Sequence, residues 1–254
     1  MVGRQAFFQL ELFHHSVPSQ RPLRADWRPN DHGWSHLGIS VANFDNCFAV
    51  LAHHGIFAIT DPVRYLGLRR AAIRDPFVGV IIEIIERQAI EGDVAEGPAV
   101  VYARSSVADL SSAHTFYTDV VGLEVAETEI LHVPAHESLW GMSGAHRTMF
   151  VVRAGEVYLE IVQYHDPLGR PRPLDYRTSD QGIVNIALGS REREPVALVL
   201  ERMRVAGYEP PRLINTKDVI AGYIIDAERE LEFAAVPESY DAAFGFVAAS
   251  PFMS

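Results

Sequence analysis

The strongest constraint in this 254-residue sequence is that it repeats itself. The stretch beginning at Glu11 reappears without gaps from Glu160, an offset of 149 residues. At that offset Pro18 falls on Pro167, Arg21 on Arg170, Pro22 on Pro171, Asp26 on Asp175, Arg28 on Arg177, Asp31 on Asp180 and Gly33 on Gly182. With the two glutamates these make eight identities in 23 positions, and Glu83 meets Glu232 at the same offset. A duplicated unit of this length has to fold twice on one plan. The Pro/Arg-rich stretches 18–29 and 167–177 keep their spacing in both copies, so they read as ordered crossovers and not as free linkers.

Hydrophobic periodicity supplies the plan. Residues 34–41, 79–86, 99–107 and 156–164 are short, rich in Val, Ile and aromatics, and bounded by Gly, Pro or Asp, which predicts strands. From about Asp109 the pattern changes: Ala113, Phe116, Tyr117, Val120 and Val121 fall on one helical face, and Gly122 supplies a stop. Further helices are expected over 46–54 and 195–206. Each unit is then β-α-β-β-β, an α+β fold in which one helix covers one face of an open, curved sheet. The other face is free to form a cleft.

Composition narrows the function classes. Lys plus Arg number 22 against 33 Asp plus Glu, a net charge of -11 at pH 7, which argues against nucleic acid and anionic membrane as partners. The single cysteine, Cys47, excludes an intrachain disulfide and a Cys-rich zinc module, and points to a reducing compartment. The apolar stretch from Val78 to Ile85 is interrupted by Glu83 and far shorter than the roughly 20 residues of a bilayer span. A soluble, cytoplasmic protein is expected. No phosphate loop or dinucleotide glycine pattern follows a strand. Asp61-Pro62 and Asp75-Pro76 read as turns, and no nucleophile motif surrounds Cys47.

At this point the residues resemble a family. The segment 109–125, DLSSAHTFYTDVVGLEV, is similar to the first helix and following strand of the vicinal oxygen chelate superfamily, which includes glyoxalase I, methylmalonyl-CoA epimerase, extradiol dioxygenases and antibiotic-resistance binders. LELFHH (10–15), SHLGISV (35–41), AAIRDPFVGVIIEIIE (71–86) and VYLEIVQY (157–164) agree with it, so the resemblance runs from residue 6 to about 236. It implies that paired β-α-β-β-β modules enclose one metal cleft and that four modules make a two-domain protein. Residues 33–87 then form a second module, 99–164 a third and 182–236 a fourth, while residues 6–14 form only the last strand of a first. The expected domains are 1–92 and 93–254. Three accounts of the apparently truncated first module stay open: the sequence begins inside it, a second copy of the chain in a homo-oligomer completes it, or the domain has lost a wall.

Resemblance to glyoxalase I implies that LEL, HxGI and IEI mark three of four metal positions, which maps them onto Glu11, His36 and Glu83. Strand alternation is consistent with this. His36 shares a face with Trp34, Gly38 and Ser40, away from the apolar row Leu37, Ile39 and Val41, and Glu83 lies among Ile81 and Ile85, where an ionised carboxylate needs a cation. Two carboxylates and one imidazole suit Zn, Ni, Mn, Co or Fe(II). Taken singly, a strand histidine is more often structural and a strand-end glutamate more often solvated. In the second copy the equivalents are Tyr102, Glu160, Asn185 and Glu232, which lose the imidazoles and keep the carboxylates. His132, His136, Trp140, Arg147 and Tyr164 are candidates for pocket polarity there. His14 and His15 sit at a strand end, and His53 and His54 close a helix, where their charge suits the dipole.

The resemblance implies a metal-dependent lyase, isomerase or epimerase. It would act on a small oxygen-chelating substrate through a metal-stabilised enediolate or enolate, with Glu83 or Glu11 as the catalytic proton shuttle. The alternatives are an extradiol-type ring-cleaving dioxygenase, and a metal-free, resistance-type small-molecule binder.

Overall fold

The computed structural model describes residues 2–5, 8–87, 97–208, 212–225 and 230–244. Three stretches follow the β-α-β-β-β order. The first comprises β3 (Gly33–Val41), α1 (Phe44–His53), β4 (Val63–Tyr65), β5 (Leu68–Arg74) and β6 (Ile81–Glu86). The second comprises β7 (Ala99–Ser106), α2 (Leu110–Thr115), β8 (Glu124–Ala126), β9 (His146–Ala154) and β10 (Val157–Asp166). The third comprises β11 (Ile186–Ser190), α3 (Arg193–Val205), β12 (Arg212–Asn215), β13 (Ile220–Ile225) and β14 (Glu230–Ala235). Ahead of them, β1 (Val2–Gln5) and β2 (Phe8–Glu11) form an antiparallel hairpin.

Strand pairing decides which modules combine. One open eight-stranded sheet has the order β4-β5-β6-β3-β7-β10-β9-β8, and a separate four-stranded sheet has the order β11-β14-β13-β12. The large sheet joins the second module to the third through the antiparallel pair β3 and β7. The division expected between residues 92 and 93 therefore falls between two stretches that contribute strands to one sheet. The fourth module keeps its own sheet, with β11 at one edge.

The helix read from Asp109 begins there: Asp109 Oδ1 accepts from the backbone N–H groups of Ser111 (2.9 Å) and Ser112 (3.1 Å). It does not continue as a regular α-helix. Residues Phe116–Val121 widen into a π-helical turn that ends at Gly122, whose φ of 89° is the left-handed stop the sequence indicates. Phe116, Tyr117, Val120 and Val121 point into a core shared by Leu37, Val152 and Ile161 of the large sheet and by Val196, Leu200 and Met203 of α3. This segment is thus the packing layer between the large sheet and the fourth module, which explains why so many of its side chains are apolar.

The crossovers are ordered, as their conserved spacing predicts. His32 donates its backbone N–H to the carbonyl of Arg170, and Gln181 donates to the carbonyl of Arg21, both at 2.9 Å. These two bonds are images of each other at the repeat offset, so the crossovers clasp about a local twofold relation. Between them lies a cavity of about 350 Å³, lined in part by Leu23, Trp27, Trp34, Arg172, Tyr176 and Ile183. Among the described residues no helix is long and apolar enough to cross a membrane.

Candidate functional site

The four central strands of the large sheet, β6-β3-β7-β10, put two rows of chemistry-bearing residues side by side. In one row Glu83 pairs with Gly38, and Gly38 with Tyr102; in the other His36 pairs with Arg104, and Arg104 with Glu160. His36 and Tyr102 lie on the opening strands, and Glu83 and Glu160 on the closing strands, of two successive β-α-β-β-β modules, so both modules contribute to one centre. His36, Glu83, Arg104 and Glu160 are all fully buried.

Gly38 makes the first row workable. A Cβ there would stand 2.0 Å from the Tyr102 ring, so the glycine lets that ring lie across β3. Tyr102 then donates its hydroxyl to Glu83 at 2.6 Å.

The cleft that one-sided helix cover leaves free is filled by the chain itself. Between β8 and β9 the segment 127–145 folds over the sheet and is tied down at several points. Tyr65 donates to the carbonyl of Glu129 (2.6 Å), and Arg70 donates to the carbonyl of Leu131 (2.5 Å). Glu137 is buried and accepts from Arg104 (2.7 Å), from Tyr164 (2.6 Å), from the Trp140 indole (2.8 Å) and from Arg147.

This segment carries His132 into the centre. Its Nε2 lies 2.9 Å from Glu83 Oε2 and its Nδ1 lies 2.8 Å from Glu160 Oε1. The imidazole therefore bridges two carboxylates carried by the closing strands β6 and β10 of successive modules. Carboxylates only accept hydrogen bonds, so both ring nitrogens donate and the ring is positively charged. Burial works against that charge, but Glu160 and Glu83 outweigh it and hold the His132 pKa above the ordinary histidine value. Burial likewise opposes ionisation of Glu83, yet His132, Arg70 and Tyr102 hold its pKa below the usual carboxylate range. Glu160 is held low against burial by His132 and Arg104, and Arg104 Nη1 stands 3.2 Å from its Oε2.

His36 behaves differently. Its Nδ1 meets Ser35 Oγ at 2.7 Å, its ring lies edge-on to Trp140, and its Nε2 is buried with no hydrogen-bond partner. Burial, reinforced by Arg104, pushes its pKa well below the ordinary value, so this ring is neutral.

Of the three residues mapped as metal positions, the structure brings His36 and Glu83 into one centre. Glu11 ends the N-terminal hairpin, is exposed, and lies within electrostatic reach of Glu232 and Tyr223 on the four-stranded sheet. There, burial and then Glu11 raise the pKa of Glu232. His132, His136, Trp140, Arg147 and Tyr164, read from the sequence as sources of polarity, all belong to the centre or its cover. Arg104 and Glu137 were not singled out. The available signal was an arginine alternating with Val100 and Tyr102 on a buried strand face, where only a carboxylate partner makes it tolerable.

The residues fit a divalent ion poorly as they are packed. Glu83 already accepts from Tyr102 and His132 and has Arg70 Nη1 at 3.4 Å, Glu160 is taken by His132 and flanked by Arg104, and both His132 nitrogens are engaged. An added dication would join three guanidinium groups and an imidazolium around three carboxylates. Among the described residues, no group of three or more His, Cys, Asp and Glu side chains is arranged to hold a metal ion.

No protein-family model matches the sequence, and no curated protein sequence matches it. Solved structures do. Glyoxalase I from Zea mays superimposes with a TM-score of 0.57 at 15% identity, over 88% of this chain and 74% of that one. A provisionally named dioxygenase from Bacillus subtilis subsp. subtilis str. 168 superimposes with a TM-score of 0.53 at 14% identity, over 84% of this chain. The chain spans 65% of that protein's length. At these identities the likeness concerns the fold, and with paired modules, open sheets and these neighbours the chain has the fold of the vicinal oxygen chelate superfamily.

Proposed function

We propose that this chain is a metal-free small-molecule-binding protein on the vicinal oxygen chelate fold. The observation that carries this reading is the bridge from Glu83 through His132 to Glu160: the paired carboxylates are already neutralised from within and closed off from solvent. The cavity between the crossovers supplies a place for a ligand. Its walls combine Trp27, Trp34 and Tyr176 with Leu23 and Ile183, surfaces that suit a flat, partly aromatic molecule. Titration with the fluorescent probe 1-anilinonaphthalene-8-sulfonate tests this. Saturable one-site binding that weakens in Trp27→Ala and Tyr176→Ala supports the reading, and binding indifferent to both substitutions counts against it.

A second reading is the metal-dependent lyase or isomerase that the family resemblance implies. It is favoured by the unpartnered, buried Nε2 of His36, and it requires His132 to leave the carboxylates. Stoichiometric uptake of Zn(II) or Ni(II) by the wild-type chain, lost in Glu83→Gln, would select it.

A further inference from the structure

We propose that the edge of β11 is a strand-acceptor site, and that its occupant is the chain's own segment 245–254, which lies outside the described residues. The proposal is independent of the ligand reading above.

The repeat carries the argument. Hairpin β1-β2 is the image of β9-β10 in register: at the offset of 149, Val2 opposite Glu11 matches Val151 opposite Glu160, and Gln5 opposite Phe8 matches Ala154 opposite Val157. β11 on β14 is likewise the image of β3 on β6, with Ala187 opposite Glu232 as Gly38 is opposite Glu83. In the large sheet β7 stands between β10 and β3, parallel to the first and antiparallel to the second. No described strand stands in the corresponding place between β2 and β11, although both flanks are present. Leu10 of β2 and Ile186 and Leu188 of β11 pack on the same core, and Glu11 lies within electrostatic reach of Glu232. The outer backbone groups of such an edge strand are a template for one added strand.

The exit from β14 points to the segment that fills it. As the chain leaves β6 past the end of β3, Arg87 donates its backbone N–H to the carbonyl of Val41 at 2.8 Å. As it leaves β14 past the end of β11, Val236 donates to the carbonyl of Ser190 at 3.0 Å, again at the repeat offset. From Arg87 the chain returns along β3 as β7, which begins at Ala99. From Val236 it turns through Glu238–Tyr240 and Asp241–Phe244, and Arg191 donates to the carbonyl of Val236 and to Asp241, which tethers the turn beside the end of β11. The sequence then reads GFVAASPFMS. Its run FVAAS, 246–250, matches the 5 residues of β11, carries no charge and stops at Pro251, which cannot donate to a ladder. Laid antiparallel to β11 and parallel to β2, this run gives the order β1-β2-tail-β11-β14-β13-β12, the image of β9-β10-β7-β3-β6-β5-β4 in the large sheet.

The test is amide hydrogen exchange of the full chain, read residue by residue by NMR. In a strand paired on one side, alternate amides face the open edge, whereas a filled edge protects them all. The expected result is protection of every amide from Ile186 to Ser190 in the full chain, and release of alternate ones in a chain ending at Phe244. That shorter chain should also show a lowered thermal midpoint, which the free peptide GFVAASPFMS restores and a scrambled peptide does not. Alternate amides that exchange freely in the full chain overturn the proposal. Protection that survives the truncation overturns it too, by assigning the edge to another segment, and a full-length dimer that dissociates on truncation overturns it by assigning the edge to a second copy. Should the shorter chain fail to fold, Ala248→Pro in the full chain decides, since it removes a ladder donor from the middle of the run. Release of the same alternate amides, with those between β3 and β7 still protected, supports the proposal, and unchanged protection from Ile186 to Ser190 overturns it.

Discussion

Arg21 and Arg170, 149 residues apart, each hold the other's copy of the repeat. Arg21 binds Asp180 through two nitrogens, at 2.9 and 2.6 Å, and reaches Asp175; Arg170 binds Asp31 in the same way, at 2.8 and 2.9 Å, and reaches Asp26. Every partner in one set is the repeat image of a partner in the other. Three of the repeated identities, Arg21 with Arg170, Asp26 with Asp175 and Asp31 with Asp180, are therefore the residues of a reciprocal clasp in which each half must fit the other.

That reciprocity predicts matched energetics. Both arginines are more than a third exposed, which weakens each ion pair, while Asp31 and Asp180 are largely buried. Arg21→Ala and Arg170→Ala should each lower the urea midpoint modestly, since solvent screens the exposed ends of both ion pairs. The two shifts should agree closely. A large inequality would show that the two halves of the clasp are not equivalent.

Gly38 offers a sharper test of the centre's packing. Its absent side chain accommodates the Tyr102 ring, which is fully buried and held by its bond to Glu83. Gly38→Ala should destabilise the protein by about 3 kcal/mol, the upper part of the usual range for overpacking a rigid core. Tyr102→Leu combined with Gly38→Ala should recover part of that loss in the same unfolding measurement, since it removes the atoms that clash.

The legibility of this protein in its sequence follows the physics of periodic and aperiodic segments. The strands around His36 and Glu83 and the helix at Asp109 were readable because alternation and helical spacing repeat over many residues. The helix's widening into a π turn was not, since it depends on packing between the large sheet and α3. The partner of Glu83 was hidden for another reason. His132 lies in a connection with no periodicity, and the sequence names it as polar without saying which carboxylate it meets. Glu11 carries a glyoxalase-like motif, yet the hairpin places it near the four-stranded sheet, because strand pairing joins the second module to the third.

Arg104 should be the centre's most sensitive charge. It donates to Glu137 and Tyr164 and stands beside Glu160, with its guanidinium over the Trp140 ring. Arg104→Met strips two buried carboxylates of a cation and should cost about 3–5 kcal/mol in thermal or urea unfolding. Pairing it with Glu137→Leu should restore a good part of this, because an apolar pair removes the stranded charge along with its partner. If Arg104→Met alone proved neutral, the buried network would contribute nothing to stability.

Acid sensitivity should reveal the cover segment. His136 is buried, its Nδ1 accepts from the backbone N–H of Val133, and its ring meets Tyr65 and His132 edge-on. Burial, then the His132 and Arg70 charges, push its pKa down to about 4, with Glu83 and Glu160 opposing. The sign follows by linkage. Below an unfolded value of about 6.5 the unfolded chain binds a proton that the folded chain refuses, so stability is full above that pH and falls as the medium is acidified toward 4. Between pH 6.5 and 5 this one ring should cost about 2 kcal/mol, at about 1.4 kcal/mol per pH unit. His36, depressed in the same direction, steepens the slope, whereas the lowered carboxylates contribute only below the pH at which their unfolded forms titrate. His136→Phe keeps a flat ring against Tyr65 and removes the proton. Urea unfolding at pH 7, 6 and 5 should therefore show a shallower acid loss in His136→Phe than in wild type, by about one proton's worth of slope. An unchanged slope would mean that His136 titrates normally and that the segment over the sheet admits water.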